Sequence, residues 1–168
     1  RDRYYEAVKN ELVSRNVGLV CLAGFLLKIE PNLIKAFKGK IINIHPALLP
    51  EYGGRGMYGH HVHEAVIKAG ERKSGCTVHF VDEIYDHGKI VLQKKVPVMP
   101  GDTPDTLAAR VLEQEHKAFP EAIKLLFEKK RGKWRLPVID FLRKVTRIEA
   151  AIDKDRLTER ALLVTDKL

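Results

Sequence analysis

The chain has 168 residues, 45% in the hydrophobic set and 31% charged, the balance of a globular protein with a core and not of a disordered or fibrous chain. A chain of this length hides roughly 70% of the surface its unfolded form exposes, so it needs no disulfide or metal staple. Charged residues also break every apolar run before the roughly 18 residues of a membrane span. Net charge is +8, and the stretch from Glu121 to Leu168 alone holds 13 Lys/Arg against 8 Asp/Glu. Charges there alternate in sign, and Trp134 and Phe141 stand isolated, which is not the interleaved pattern of a nucleic-acid surface; a positive balance suits an anionic small substrate.

In chain order, Tyr5, Val8, Leu12 and Val13 recur at helical spacing among charges over residues 2–15, and a continuous apolar run from Val17 to Ala23 reads as a buried strand. A short helix around 33–37, stopped near Gly39, leads to a second β-branched strand over 40–45 that ends at Pro46. Two such strands with a helical crossover predict a βαβ unit and a mostly parallel sheet flanked by helices, an α/β fold. Residues 46–59 form a Pro- and Gly-rich loop, and 60–69 an amphipathic helix. Strands over 77–81 and 90–96 flank a polar turn. A long helix follows over 103–130, opened by Thr103-Pro104 and expected to kink or split at Pro120. Residues 131–168 are read as a separate basic extension with one more packed helix, next to a main domain over 1–130. Cys21 and Cys76, both in apolar runs, are expected to be buried free thiols, which fits a cytoplasmic protein.

Asn43 and His45 alternate with Ile42 and Ile44, so the two polar side chains share one face at the carboxyl end of a strand, where ligands bind in sheets of this kind. An amide donor and an imidazole aimed at one point suit oxyanion stabilisation in acyl transfer. On the other reading, Asn43 ties down the following loop and His45 only ends the strand. Asp86, in the acidic turn 82–88, either pairs with His45 and raises its pKa or belongs to an ordinary solvated turn. Gly54-Arg55-Gly56-Met57-Tyr58-Gly59 has the letters of a dinucleotide loop but follows a Pro-rich loop, so neither NAD nor FAD is expected. His60, His61 and His63 cluster at a helix start without the further ligands of a zinc site, and no metal is expected. Glu115 and His116 by themselves read as a solvated helix face. No Ser or Cys stands in a nucleophile setting.

Taken together, Leu22-Ala23-Gly24-Phe25, Asn43-Ile44-His45-Pro46-Ala47-Leu48-Leu49-Pro50, the segment Ser74 to Val81, Asp86-His87-Gly88-Lys89-Ile90-Val91-Leu92-Gln93 and Gln114-Glu115-His116 resemble, in order and spacing, the phosphoribosylglycinamide formyltransferase family. The resemblance runs from about residue 1 to 130. It implies a Rossmann-like formyltransferase fold and transfer of a formyl group from 10-formyltetrahydrofolate, a co-substrate, to the amine of glycinamide ribonucleotide in purine biosynthesis, without a metal. By the same resemblance Asn43, His45 and Asp86 are catalytic. Leu26, Leu27, Lys28 and Ile29, with Asp82, Glu83, Ile84 and Tyr85, embrace the pteridine largely through backbone groups. Asn43, His63 and Glu115 meet the ribonucleotide. Leu27 stands where the family commonly has an arginine, and the loop from Gly53 to His61 is longer than usual. The family's opening strands and Gly-Ser-rich phosphate loop have no counterpart in the chain, so an N-terminally truncated form of the fold is expected, with an exposed sheet edge that invites a homo-oligomer. A sugar or methionyl-tRNA formyltransferase and a folate-binding module without activity are the alternative readings. Small molecules, and neither nucleic acid nor membrane, are the expected partners.

Overall fold

The apolar stripe read from the first residues is the one that packs. In the computed structural model, which describes residues 2–128, helix α1 (Asp2–Ser14) buries Tyr5 with Val8 and Leu12 beside it, whereas Val13 lies off the stripe and is exposed. Strand β1 (Val20–Leu22), helix α2 (Pro31–Ala36) and strand β2 (Ile41–His45) form the βαβ unit, with Val20 opposite Ile41 and Leu22 opposite Asn43 in parallel register. Pro31 opens α2, where its missing N–H has no helical partner to lose. Helix α3 (His60–Lys68), strands β3 (Lys73–Phe80) and β4 (Ile90–Pro97) and helix α4 (Pro104–Glu128) follow, and the sheet order is β1-β2-β3-β4. These elements lie within a unit spanning Arg1–Lys129; the basic helical extension expected over 131–168 falls outside the described residues.

The α/β class holds, but the sheet is mixed and not mostly parallel. β2–β3 and β3–β4 are both antiparallel. The polar turn 81–89 is too short for the crossover of a dozen or more residues that a parallel pair needs, so it returns the chain as a hairpin. Between β2 and β3 the chain re-enters the sheet at the end it left, and the loop after His45 is pinned to β3: Thr77 Oγ1 donates to the Ala47 carbonyl (2.6 Å) and accepts from the Leu49 amide (3.1 Å).

Helices cover both faces. Ile42, Ile44 and Val78 of the sheet meet Val66 of α3 and Leu107 and Val111 of α4 on one side; Ile41 packs with Tyr5, Leu33 and Phe37 on the other. Each such fully buried side chain contributes roughly 1.5–3 kcal/mol relative to exposure. The expected buried strand over 17–23 is shorter and more open. β1 is the outer strand of the described sheet, so Cys21 is exposed, while Cys76 in the middle of β3 is buried. Nor does Pro120 split α4: Ala118 and Ala122, both fully buried, hold the helix against the sheet on either side of it. Thr103 caps this helix, its Oγ1 accepting from the Thr106 amide (3.3 Å).

Candidate active site

Strand alternation places Ile42 and Ile44 in the core and turns Asn43 and His45 to the opposite face. The antiparallel register sets His79 directly across from Asn43 and Thr77 across from His45, and paired residues share a face. Four polar side chains therefore gather at the carboxyl end of β2. His79 donates from Nδ1 to the Phe80 carbonyl (2.8 Å), which leaves Nε2 of the neutral ring to accept one N–H of the Asn43 amide (3.3 Å). The second Asn43 N–H stays available. His45, only 4% exposed, donates from Nε2 to the Tyr52 carbonyl (2.7 Å), so its Nδ1 is the nitrogen left for proton exchange.

Asp86 closes the group from the turn 81–89. Its backbone is left-handed (φ 53°), a conformation that Asp and Asn tolerate better than most residues. Oδ2 accepts from the Gly54 amide (2.9 Å) and lies 3.6 Å from His45 Nδ1, while Oδ1 lies 3.6 Å from His79 Nε2. One carboxylate thus faces two buried histidines. Burial pushes the Asp86 pKa up, but the adjacent His79 and His45 rings and the Gly54 amide outweigh it and leave the group below its ordinary range. His45 departs from the sequence expectation. Burial lowers its pKa, and the opposing pull of Asp86 and the Tyr52 carbonyl does not restore it, so the net shift is down and not up. The cause is the depth of the ring, which alternation along a strand does not reveal.

Asn43, His45 and Asp86 line a cavity of about 1040 Å³ together with Leu26, His63 and Glu115. His63 is 4% exposed, and its Nδ1 has no hydrogen-bond partner among the described residues, which suits a ring waiting for a ligand. Burial lowers its pKa and raises that of Glu115. Neither Ser nor Cys is among the described residues that line this cavity. A smaller recess adjoins it. Leu27, Lys28 and Ile29 face the turn Asp82–Asp86 across it, with Phe25, Asn43, Tyr85 and Asp86 common to both spaces. The Tyr5 hydroxyl donates to the Lys28 carbonyl (3.0 Å) and fixes one wall; Asp82 fixes the other, accepting from the Ile84 amide (2.8 Å) and pairing with His87 (3.0 Å). Ile29 is itself a core residue, and Glu83 is an exposed member of the turn. The residues to which the resemblance gives a role therefore all border one of the two spaces. His60 also lines the larger cavity while its Nε2 lies 3.2 Å from Asp105, and His61 turns away to Glu64 (3.8 Å). Sequence reasoning gave His79 and Tyr52 no role; the signal for His79 was the second polar alternation, Thr77 and His79, one strand later.

An amide donor with one free N–H, a buried imidazole and a depressed carboxylate form an arrangement that can support acyl transfer by positioning and oxyanion stabilisation. Residues 1–123 match the formyl transferase family. Over 119 residues the chain is 51% identical to the chloroplastic phosphoribosylglycinamide formyltransferase of Arabidopsis thaliana, a match covering 71% of this chain and 40% of that protein. It is 43% identical over 131 residues to the phosphoribosylglycinamide formyltransferase of Haemophilus influenzae, 78% of this chain and 58% of that one. Among solved structures, glycinamide ribonucleotide transformylase 1 from Symbiobacterium toebii matches with a TM-score of 0.71 at 40% identity, over 77% of this chain and 58% of that one. The chain belongs to the formyl transferase family, and it spans between 40% and 58% of the length of these relatives.

Proposed function

We propose that this site transfers the formyl group of 10-formyltetrahydrofolate to the primary amine of glycinamide ribonucleotide, a step of purine biosynthesis, without a metal. The observation that carries the reading is the convergence of Asn43, His45 and Asp86 on one cavity wall, where the folate-side recess and the larger cavity meet. Relatives whose names carry this activity support the choice of substrates.

The amine nitrogen attacks the formyl carbon, and negative charge grows on the formyl oxygen. The free N–H of Asn43 is the donor for that charge, held in place because its other N–H is spent on His79. The attacking nitrogen must shed a proton; Asp86, ionised at neutral pH, takes it through a water, with His45 Nδ1 3.6 Å away to share it. The proton returns to N10 as the carbon–N10 bond breaks, giving tetrahydrofolate and the formylated amine. His63 and Glu115 hold the ribonucleotide, and the walls 26–29 and 82–85 hold the pteridine.

The test is formyl transfer by the purified chain, with the tetrahydrofolate product and the formylated ribonucleotide both measured. Asn43→Ala and His45→Ala are each expected to lower kcat by about a hundredfold or more, the cost of an oxyanion donor, with affinity for a folate analogue little changed. Turnover that survives both substitutions overturns the reading.

A further inference from the structure

Residues 52–54 form a short backbone bridge between the two groups that handle protons. The Tyr52 carbonyl accepts from His45 Nε2 (2.7 Å), and two residues further on the Gly54 amide donates to Asp86 Oδ2 (2.9 Å). Between them Gly53 lies flush against the carboxylate: a Cβ at this position would stand 3.2 Å from the Asp86 Cβ and 2.6 Å from Leu49 Cδ2. The 3.6 Å separation of His45 Nδ1 and Asp86 is therefore only as well kept as this bridge. The bridge is strained at its root. Tyr52 has a left-handed backbone (φ 55°), an unusual state for a bulky side chain and one that persists only where surrounding contacts hold it.

What holds Tyr52 is its side chain. The ring packs against the core formed by the sheet, α3 and α4, and the hydroxyl donates to Glu71 Oε1 (3.0 Å), nineteen residues along the chain. Glu71 is exposed and lines neither of the two spaces, and its own amide is tied to the Val66 carbonyl (3.3 Å) at the end of α3. A carboxylate outside the site is thus two bonds from the imidazole inside it, one from the Tyr52 hydroxyl and one from the Tyr52 carbonyl. An ionised acceptor makes the outer bond a strong one for its exposure. We propose, resting on the acyl-transfer reading above, that Glu71 is a positioning residue for His45: its bond to the Tyr52 hydroxyl keeps the Tyr52 carbonyl where it fixes the imidazole with Nε2 protonated and Nδ1 turned to Asp86.

The experiment reads the imidazole and the rate in the same proteins. In the full chain with isotope-labelled histidine and the ring neutral, the His45 nitrogen signals, assigned by their loss in His45→Ala, are expected to report one Nε2–H tautomer in wild type and a mixture in Tyr52→Phe and in Glu71→Ala. Glu71→Gln, whose amide oxygen still accepts from the hydroxyl, should restore the single tautomer. kcat for formyl transfer is expected to fall about fivefold in Tyr52→Phe and in Glu71→Ala, the value of one hydrogen bond, with KM for both substrates unchanged, and the double variant should lose no more than either single one. The two single variants remove the same bond from opposite ends, so a folding defect in one leaves the other to decide. A single Nε2–H tautomer that persists without the bond, losses that add in the double variant, or a Glu71→Gln protein that behaves as Glu71→Ala overturns the proposal. A tautomer that follows Glu71 in a chain with no formyl transfer overturns the activity reading instead and leaves this assignment standing.

Discussion

His79 does for Asn43 what the Tyr52 carbonyl does for His45: each occupies one polar valence of a reactive side chain and so decides which one faces the cavity. His79 also touches the proton path, because its ring stands 3.6 Å from Asp86 and helps to lower that carboxylate's pKa. His79→Ala is therefore expected to lower kcat by about tenfold with little change in KM for the ribonucleotide, and to move the acid limb of the kcat/KM profile to higher pH. His79→Gln, which keeps an acceptor for the Asn43 amide, should recover part of kcat. A purely structural His79 would reduce the yield of folded protein and leave the acid limb where it was, so pH–rate profiles of the three proteins separate the two roles. Strand alternation and a polar turn made Asn43, His45 and Asp86 candidates with the structural reading still open, and their catalytic roles came from the family resemblance. The part played by His79 was not legible, since it depends on facing Asn43 across an antiparallel register that neither strand encodes locally.

Among the elements, the least legible feature was strand direction, and its consequences are concentrated at Thr77. The apolar runs located β2, β3 and β4 and the caps located α4, but neither showed that β3 runs against β2 with one buried hydroxyl holding the intervening loop through a donated and an accepted hydrogen bond. Gln93 of β4 extends the same clamp, donating to Thr77 Oγ1 (2.9 Å) and to the Leu49 carbonyl (2.8 Å). Thr77→Val keeps the shape and removes the hydroxyl, leaving the Leu49 amide and the Ala47 carbonyl without that partner in a buried setting. A loss of about 3 kcal/mol in unfolding free energy is expected, at roughly 1–3 kcal/mol for each stranded group. Thr77→Ser should cost much less. Urea unfolding of both variants checks this, and a Thr77→Val protein as stable as wild type would mean the loop after His45 is held by something other than this clamp. The openness of β1 agrees with the exposed sheet edge expected from the resemblance but not with the buried strand read from the apolar run, which states what a strand prefers to bury, not whether a neighbour lies against it.

Across the whole molecule the buried titratable groups set how stability follows pH. His45 and His63 are both enclosed, and both have pKa values below the ordinary 6.5, His45 through burial against the pull of Asp86, His63 through burial and its histidine neighbours. In the unfolded chain these rings return to about 6.5. Between the lowered folded values and that figure the unfolded state binds more protons than the folded one, so unfolding free energy rises with pH across this window. The contribution is complete above about pH 6.5 and is lost as pH falls through the folded values, with a slope of at most about 1.4 kcal/mol per pH unit for each histidine. Asp86 adds a second, separate loss. Its folded pKa lies below the ordinary 3.8, so its contribution persists above that value and fades only as pH falls through the depressed one. A decline between pH 6.5 and 5 therefore belongs to the histidines and not to the carboxylate. Unfolding free energies of the full chain measured in urea at half-unit intervals from pH 7.5 to 5 should fall toward acid, and His63→Gln, which cannot titrate, should flatten that fall. Glu115, whose pKa burial raises, works in the opposite sense, so the decisive comparison is between the two proteins: a His63→Gln curve as steep as wild type would mean that His63 charges in the folded protein as readily as it does in water.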